Sequence, residues 1–136
     1  MKTRREFWQL CLANAFLASL PSCGAHSALG MRTLYQQDLP NITLAGWQAT
    51  VLELTFPPGL IAPSHHHPGF VLGYVLDGKY RFHMEGAPEA VLSPGSVFYE
   101  PPGHVHLPSG SASATRAARV LAIAFGEKGK ELVTAP

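Results

Sequence analysis

The sequence predicts an all-β domain, a sandwich or a barrel, on three observations. Short apolar runs recur from Ile42 onward, each closed by turn-forming residues. Twelve Pro and thirteen Gly accompany only 14% charged residues, the composition of short buried elements joined by tight turns rather than of long solvated helices. Between those runs no helical period interrupts the pattern.

Near the N-terminus Thr3, Arg4, Arg5, Glu6 and Phe7 precede an apolar stretch from Leu10 to Leu20 and a small-residue zone around Ser22 to Ala28. These are the charged, apolar and cleavage regions of a bacterial export signal, so residues 1–27 are expected to be a signal peptide of the twin-arginine kind. The apolar part is too short to span a membrane. Leu20-Pro21-Ser22-Cys23 resembles a lipobox, which would place a lipid anchor on Cys23; ordinary cleavage is the other outcome. The expected location is the periplasm or cell envelope. Residues 28–40 show no period and are expected to be a linker, and residues 41–126 the domain.

Within the domain the predicted strands are Gln48 to Phe56, Phe70 to Leu76, Tyr80 to Met84, Ala90 to Leu92, Val97 to Tyr99 and Val120 to Phe125. The first alternates, with Leu52, Leu54 and Phe56 on one face and Val51, Glu53 and Thr55 on the other, as a strand buried on one side does. Asp77-Gly78 is a hairpin turn between two apolar runs. Pro57-Pro58-Gly59, Ser93-Pro94-Gly95 and Pro101-Pro102-Gly103 mark further turns. Ser109 to Thr115 is expected to be a polar loop, and residues 127–136 a disordered or loosely packed tail.

A formal charge of +1, with no Lys/Arg cluster beyond the N-terminus, excludes an electrostatic nucleic-acid surface. Both cysteines, Cys11 and Cys23, lie in the leader, so the domain has no disulfide and no thiolate chemistry.

Seven histidines are many for so short a chain, and three form the run His65-His66-His67. Residues two apart in an extended strand share a face, so His65 and His67 can converge on one ion while His66 points away. The tract from Gly95 to Gly103 runs through a turn to His106, from which a neighbouring strand could add a third imidazole.

Gly59, five residues, His65, one residue, His67 and later Gly78 resemble the first motif of the cupin superfamily. Gly95, five residues, Pro101, one residue, Gly103, two residues and His106 resemble its second motif. His66-His67-Pro68-Gly69 and Glu100-Pro101-Pro102-Gly103 resemble small exported quercetin-dioxygenase-like cupins. The resemblance implies a double-stranded β-helix, a jelly-roll barrel of about six to eight strands with a metal near one open end, and a homodimer. It also implies metal ligands at His65, His67 and His106.

The sequence departs from that pattern at two places. Val71 stands where the family has a ligand glutamate, and Gly110 where it has asparagine. Three neutral imidazoles then resemble the centres of diketone- and thiol-cleaving dioxygenases, for which iron(II) is favoured and zinc, manganese, nickel or copper also fit. Glu100 is the candidate catalytic residue. If Val97 to Glu100 is extended, Glu100 shares a face with Phe98 and points inward as ligand or base; otherwise it is a rim residue before a turn. Gly73 shares a face with Val71 and Val75, either leaving room for substrate or serving close packing. His104 is expected to cap its turn and His83 to face outward.

Three functions compete on these residues. One is a dioxygenase acting on a small chelating enol or diketone, one an isomerase or decarboxylase that uses the same metal with Glu100 as base, and one a non-enzymatic metal- or small-molecule-binding protein of the envelope.

Overall fold

The structure, a computed structural model, describes residues 30–136. The leader expectations, from the twin arginines to Cys23, lie outside the described residues. Residues Thr33–Pro136 form one unit.

Ten strands follow in order: β1 (Trp47–Phe56), β2 (Ile61–Ala62), β3 (His65–His66), β4 (Phe70–Asp77), β5 (Tyr80–Phe82), β6 (Ala90–Leu92), β7 (Val97–Glu100), β8 (Val105–His106), β9 (Ser109–Ser111) and β10 (Ala118–Glu127). They make two four-stranded antiparallel sheets, ordered β1-β10-β4-β7 and β2-β9-β5-β6, and a two-stranded ribbon of β3 and β8. This is the predicted all-β, double-sheet architecture. Every expected apolar run is a strand; β2, β3, β8 and β9 are two or three residues long, too short to show a period.

Alternation places the core. Ala118, Val120, Ala122 and Ala124 of β10 face inward with Val71 and Val75 of β4 and Phe98 of β7. Phe56, Tyr80, Phe98 and Phe82 form an aromatic chain with centroid separations of 5.2, 5.4 and 4.7 Å, continued by Phe82 against His106 at 5.1 Å. Such pairs add about 0.5–1.5 kcal/mol each beyond the area they bury. The core therefore ends on a histidine.

Two expectations change. Ser109 to Thr115 is not simply a loop: Ser109, Gly110 and Ser111 are buried as β9, their backbone paired to β2 and β5. Ladder bonds satisfy the peptide groups, and the Ser111 hydroxyl donates to the Arg116 carbonyl at 2.6 Å, so polar residues tolerate burial there. The tail is not loose either. After β10 the chain turns back, and Thr134 pairs with His66 through backbone bonds of 3.1 and 3.0 Å.

Gly78 has a φ of 72°, as the Asp-Gly turn requires, and a Cβ there would lie 2.2 Å from the Ala117 carbonyl oxygen. At Gly73 a Cβ would meet the Phe98 ring at 2.0 Å. Glycine at 73 thus serves packing, and Phe98 fills the space beside it.

Candidate metal centre

The β3–β8 ribbon sets His65 directly opposite His106 in register, and His67 follows just beyond β3. Ring centroids of His65 lie 5.1 Å from His67 and 4.9 Å from His106. The structure thus brings together the three imidazoles drawn from two separate stretches of sequence. The rings of His65 and His67 are oriented by backbone carbonyls, which can only accept a hydrogen bond. His65 Nδ1–H donates to the Pro63 carbonyl at 3.0 Å, and His67 Nδ1–H to the Leu132 carbonyl at 2.6 Å. In the neutral ring each such bond leaves Nε2 unprotonated and free to bind an ion.

Glu100 completes the cluster. Strand β7 alternates so that Phe98 and Glu100 are buried, and Glu100 is only 5% exposed. Its Oε2 lies 3.2 Å from His67 Nε2 and 3.2 Å from His106 Nδ1. His65, His67 and Glu100 each offer one ligand atom, all within 4.8 Å of one another, and His106 abuts this group through the shared oxygen. The set is therefore not a bare three-imidazole face. Val71 pairs with Glu100 across β4 and β7, so the carboxylate absent from position 71 is supplied by its cross-strand neighbour.

A divalent metal fits this donor set. Oε2 of Glu100 and both ring nitrogens of His106 are buried without a hydrogen-bond partner among the described residues, a costly arrangement unless something binds them. Burial pushes the Glu100 carboxyl upward, but the His106 and His67 rings beside it win and hold it at about 2. Burial pulls His67 down while the Glu100 contact, backed by the Leu132 carbonyl, raises it overall. Burial lowers His65, with His106 and His67 adding to the effect, which suits a neutral ligand.

The other histidines among the described residues stand apart. His66 turns away from the cluster and meets Thr134, whose Oγ1 lies 2.8 Å from its Nε2. His104 is exposed at its turn, with its amide on the Pro101 carbonyl at 3.3 Å, and His83 is half-buried. The Leu132 carbonyl is a functional group that the sequence did not announce; no residue type marks a backbone acceptor delivered from the chain's far end.

A cavity of about 270 Å³ opens beside the cluster between the sheets. Leu52, Leu54, Phe56, Val71, Phe98 and Val120 contribute to its walls, and His65, His67, Glu100 and His106 form its polar end. Leu132, packed on Val71, Ala122 and Ala124, adds a wall from the returning tail.

Residues 52–124 match the family model of the cupin domain. The chain belongs to the cupin family. A fifty-residue stretch of this cupin is 42% identical to dimethylsulfoniopropionate lyase DddQ of Ruegeria pomeroyi; it covers 37% of this chain and 25% of the lyase. The chain thus spans about a quarter of the length of the curated relative it matches. The crystal structure of that lyase superposes with a TM-score of 0.53 at 28% identity, over 66% of this chain and 43% of the other. A cupin-like protein of Thermotoga maritima gives a TM-score of 0.51 at 27% identity, over 60% and 65% of the two chains. The polyketide cyclase RemF of Streptomyces resistomycificus, at 22% identity and a TM-score of 0.54 over 64% and 59%, shares the fold. No helix among the described residues is long and apolar enough to cross a membrane.

Proposed function

We propose that this cupin is a mononuclear metal enzyme of the dioxygenase kind, acting on a small enol- or diketone-like chelator, with the ion held by His65, His67, His106 and Glu100. The observation that carries the reading is the buried Glu100 carboxylate, whose Oε2 stands 3.2 Å from a nitrogen of each of two imidazoles with no hydrogen-bond partner of its own. A divalent transition metal bound there would supply Lewis acidity and, as iron(II), the capacity to reduce dioxygen. Zinc, manganese, nickel and copper suit the same donors.

The chain's own residues do the rest. The Pro63 and Leu132 carbonyls aim Nε2 of His65 and His67, and Glu100 cancels one positive charge. The apolar cavity walls offer an apolar part of a bound molecule a surface beside the polar end. Three neutral imidazoles and one carboxylate leave a dication with one net positive charge, which suits a singly charged chelating oxygen anion.

A lyase or decarboxylase that uses Glu100 as base is the second reading, favoured by the fifty-residue likeness to the lyase named above. Oxygen uptake separates the two. Iron-reconstituted protein given 1,3-diketones and enols should consume dioxygen in step with substrate, and His67→Ala should abolish uptake. Anaerobic turnover at full rate would replace the first reading with the second, and turnover that survives a strong chelator would overturn both.

We place this activity in the bacterial envelope, on the strength of the expected leader. We also place it in a homodimer, whose contact would cover β1, the ten-residue edge strand that carries exposed Val51, Leu52 and Leu54.

A further inference from the structure

The cavity's ionisable groups are confined to one end. Glu100 and the three imidazoles stand there; among the described residues that line the remainder, none is Lys, Arg or Asp. Tyr80, the one other ionisable side chain on the wall, is 3% exposed. Burial pushes its phenol upward and out of reach of physiological ionisation, against the pull of the Ser109 hydroxyl beside it. A second charge on a bound molecule would therefore lie against Leu52, Leu54, Phe56 and Val120 with no counter-charge, the situation in which desolvation is not recovered.

Size sets a further limit. A volume of about 270 Å³, at roughly 30 Å³ for each water-sized group, holds about nine such groups. Ala122 and Ala124 are buried small residues on the wall, and Leu132 packs against them, so this part of the cavity is where added bulk would shorten it.

From these observations we infer that the site selects a small monoanion with an uncharged apolar tail: the anionic head meets the metal, the tail lies between the two sheets, and molecules with a second charge of either sign are rejected. This rests on the metal centre proposed above and narrows its substrate class. It also sets this chain apart from its lyase relative, whose named substrate carries a sulfonium cation beside its carboxylate.

Cobalt(II) supplies a readout other than activity, because its visible spectrum responds to a new ligand. The protein is loaded with cobalt(II) and titrated with straight-chain carboxylates from acetate to decanoate. It is then titrated with three molecules of one shape: 4-methylpentanoate, dimethylsulfoniopropionate and succinate. Each added methylene should tighten binding about fourfold until the chain reaches roughly nine non-hydrogen atoms, the limit set by the cavity volume. 4-Methylpentanoate should bind at least tenfold more tightly than its zwitterionic and dianionic counterparts. Ala122→Leu should bring the limit about two carbons earlier, with Ala122→Val as the milder variant.

A cobalt spectrum that responds to acetate but shows no chain-length dependence overturns this inference and leaves the metal centre standing. Dimethylsulfoniopropionate bound as tightly as 4-methylpentanoate also overturns it, and would mean that Phe56, Tyr80 and Phe98 hold a cation over their ring faces. Failure to bind cobalt overturns both the inference and the centre beneath it.

Discussion

Glu100→Gln keeps the shape of the side chain and removes its charge, so it isolates what the carboxylate contributes to metal binding. With glutamate, the dication would sit in a buried site with one anionic donor and three neutral ones. With glutamine, a fully uncompensated dication would occupy a cluster in which Glu100 and His106 are 5% and 2% exposed. Leaving a buried charge without its partner costs about 3–5 kcal/mol, or roughly two to three and a half powers of ten in affinity. The register adds a second arm. Val71 and Glu100 are cross-strand partners, with Cβ atoms at such positions about 5 Å apart, so a glutamate from either strand can reach one point between them. The double variant Val71→Glu with Glu100→Val should therefore recover affinity to within about tenfold of wild type. Val71→Glu alone should gain little, since two carboxylates sharing a buried site cannot both stay ionised. Competition titration with a coloured chelator measures all four proteins. Glu100→Gln binding zinc within threefold of wild type would refute the reasoning, because the carboxylate would then have no part in holding the ion.

Gly73→Ala should lower stability by about 1–3 kcal/mol by driving a methyl into the Phe98 ring; an unchanged thermal midpoint would mean that the ring can give way. In metal-free protein, raised His67 stabilises the fold below pH 6.5 and loses that contribution as pH rises through its shifted value. Depressed Glu100 stabilises it above pH 4.5 and loses its contribution as pH falls toward about 2. The melting difference between wild type and Glu100→Gln should thus be largest between about pH 4.5 and 6.5; Glu100 also lifts the lowered His65, so its loss adds to that difference with the same sign, and a pH-independent difference would contradict the pairing. Truncation after Lys130 removes the Leu132 carbonyl from His67 and should weaken metal binding about 10- to 100-fold with the barrel still folded. Unchanged affinity in equilibrium dialysis would show that the returning tail does not orient the ligand.

How far the sequence reveals this molecule depends on the range over which each signal acts. Strand β1 alternates in sequence, and β4 and β10 are apolar runs in strands of eight and ten residues bounded by turn signals, so period exposes the first and composition the other two. Strand β9 reads Ser-Gly-Ser, which by type belongs in a loop; only pairing to β2 and β5 makes it a buried strand. The histidine spacing anticipates which rings meet, because two residues apart on a strand fixes a shared face. Sequence alone leaves the role of Glu100 open, since a residue before Pro101-Pro102 could equally end at the rim, and the register of β4 with β7 brings it to Val71. The tail gave no local signal at all. Its place over His66 and His67 comes from hydrogen bonds spanning more than sixty residues of sequence.

Anomalous diffraction from crystals of the zinc-loaded protein locates the ion directly. One site per chain is predicted, with His65 Nε2, His67 Nε2, a ring nitrogen of His106 and a Glu100 oxygen each about 2.0–2.2 Å from it. Stoichiometric zinc found elsewhere, or found here with the Glu100 carboxylate turned away, would contradict the four-residue centre.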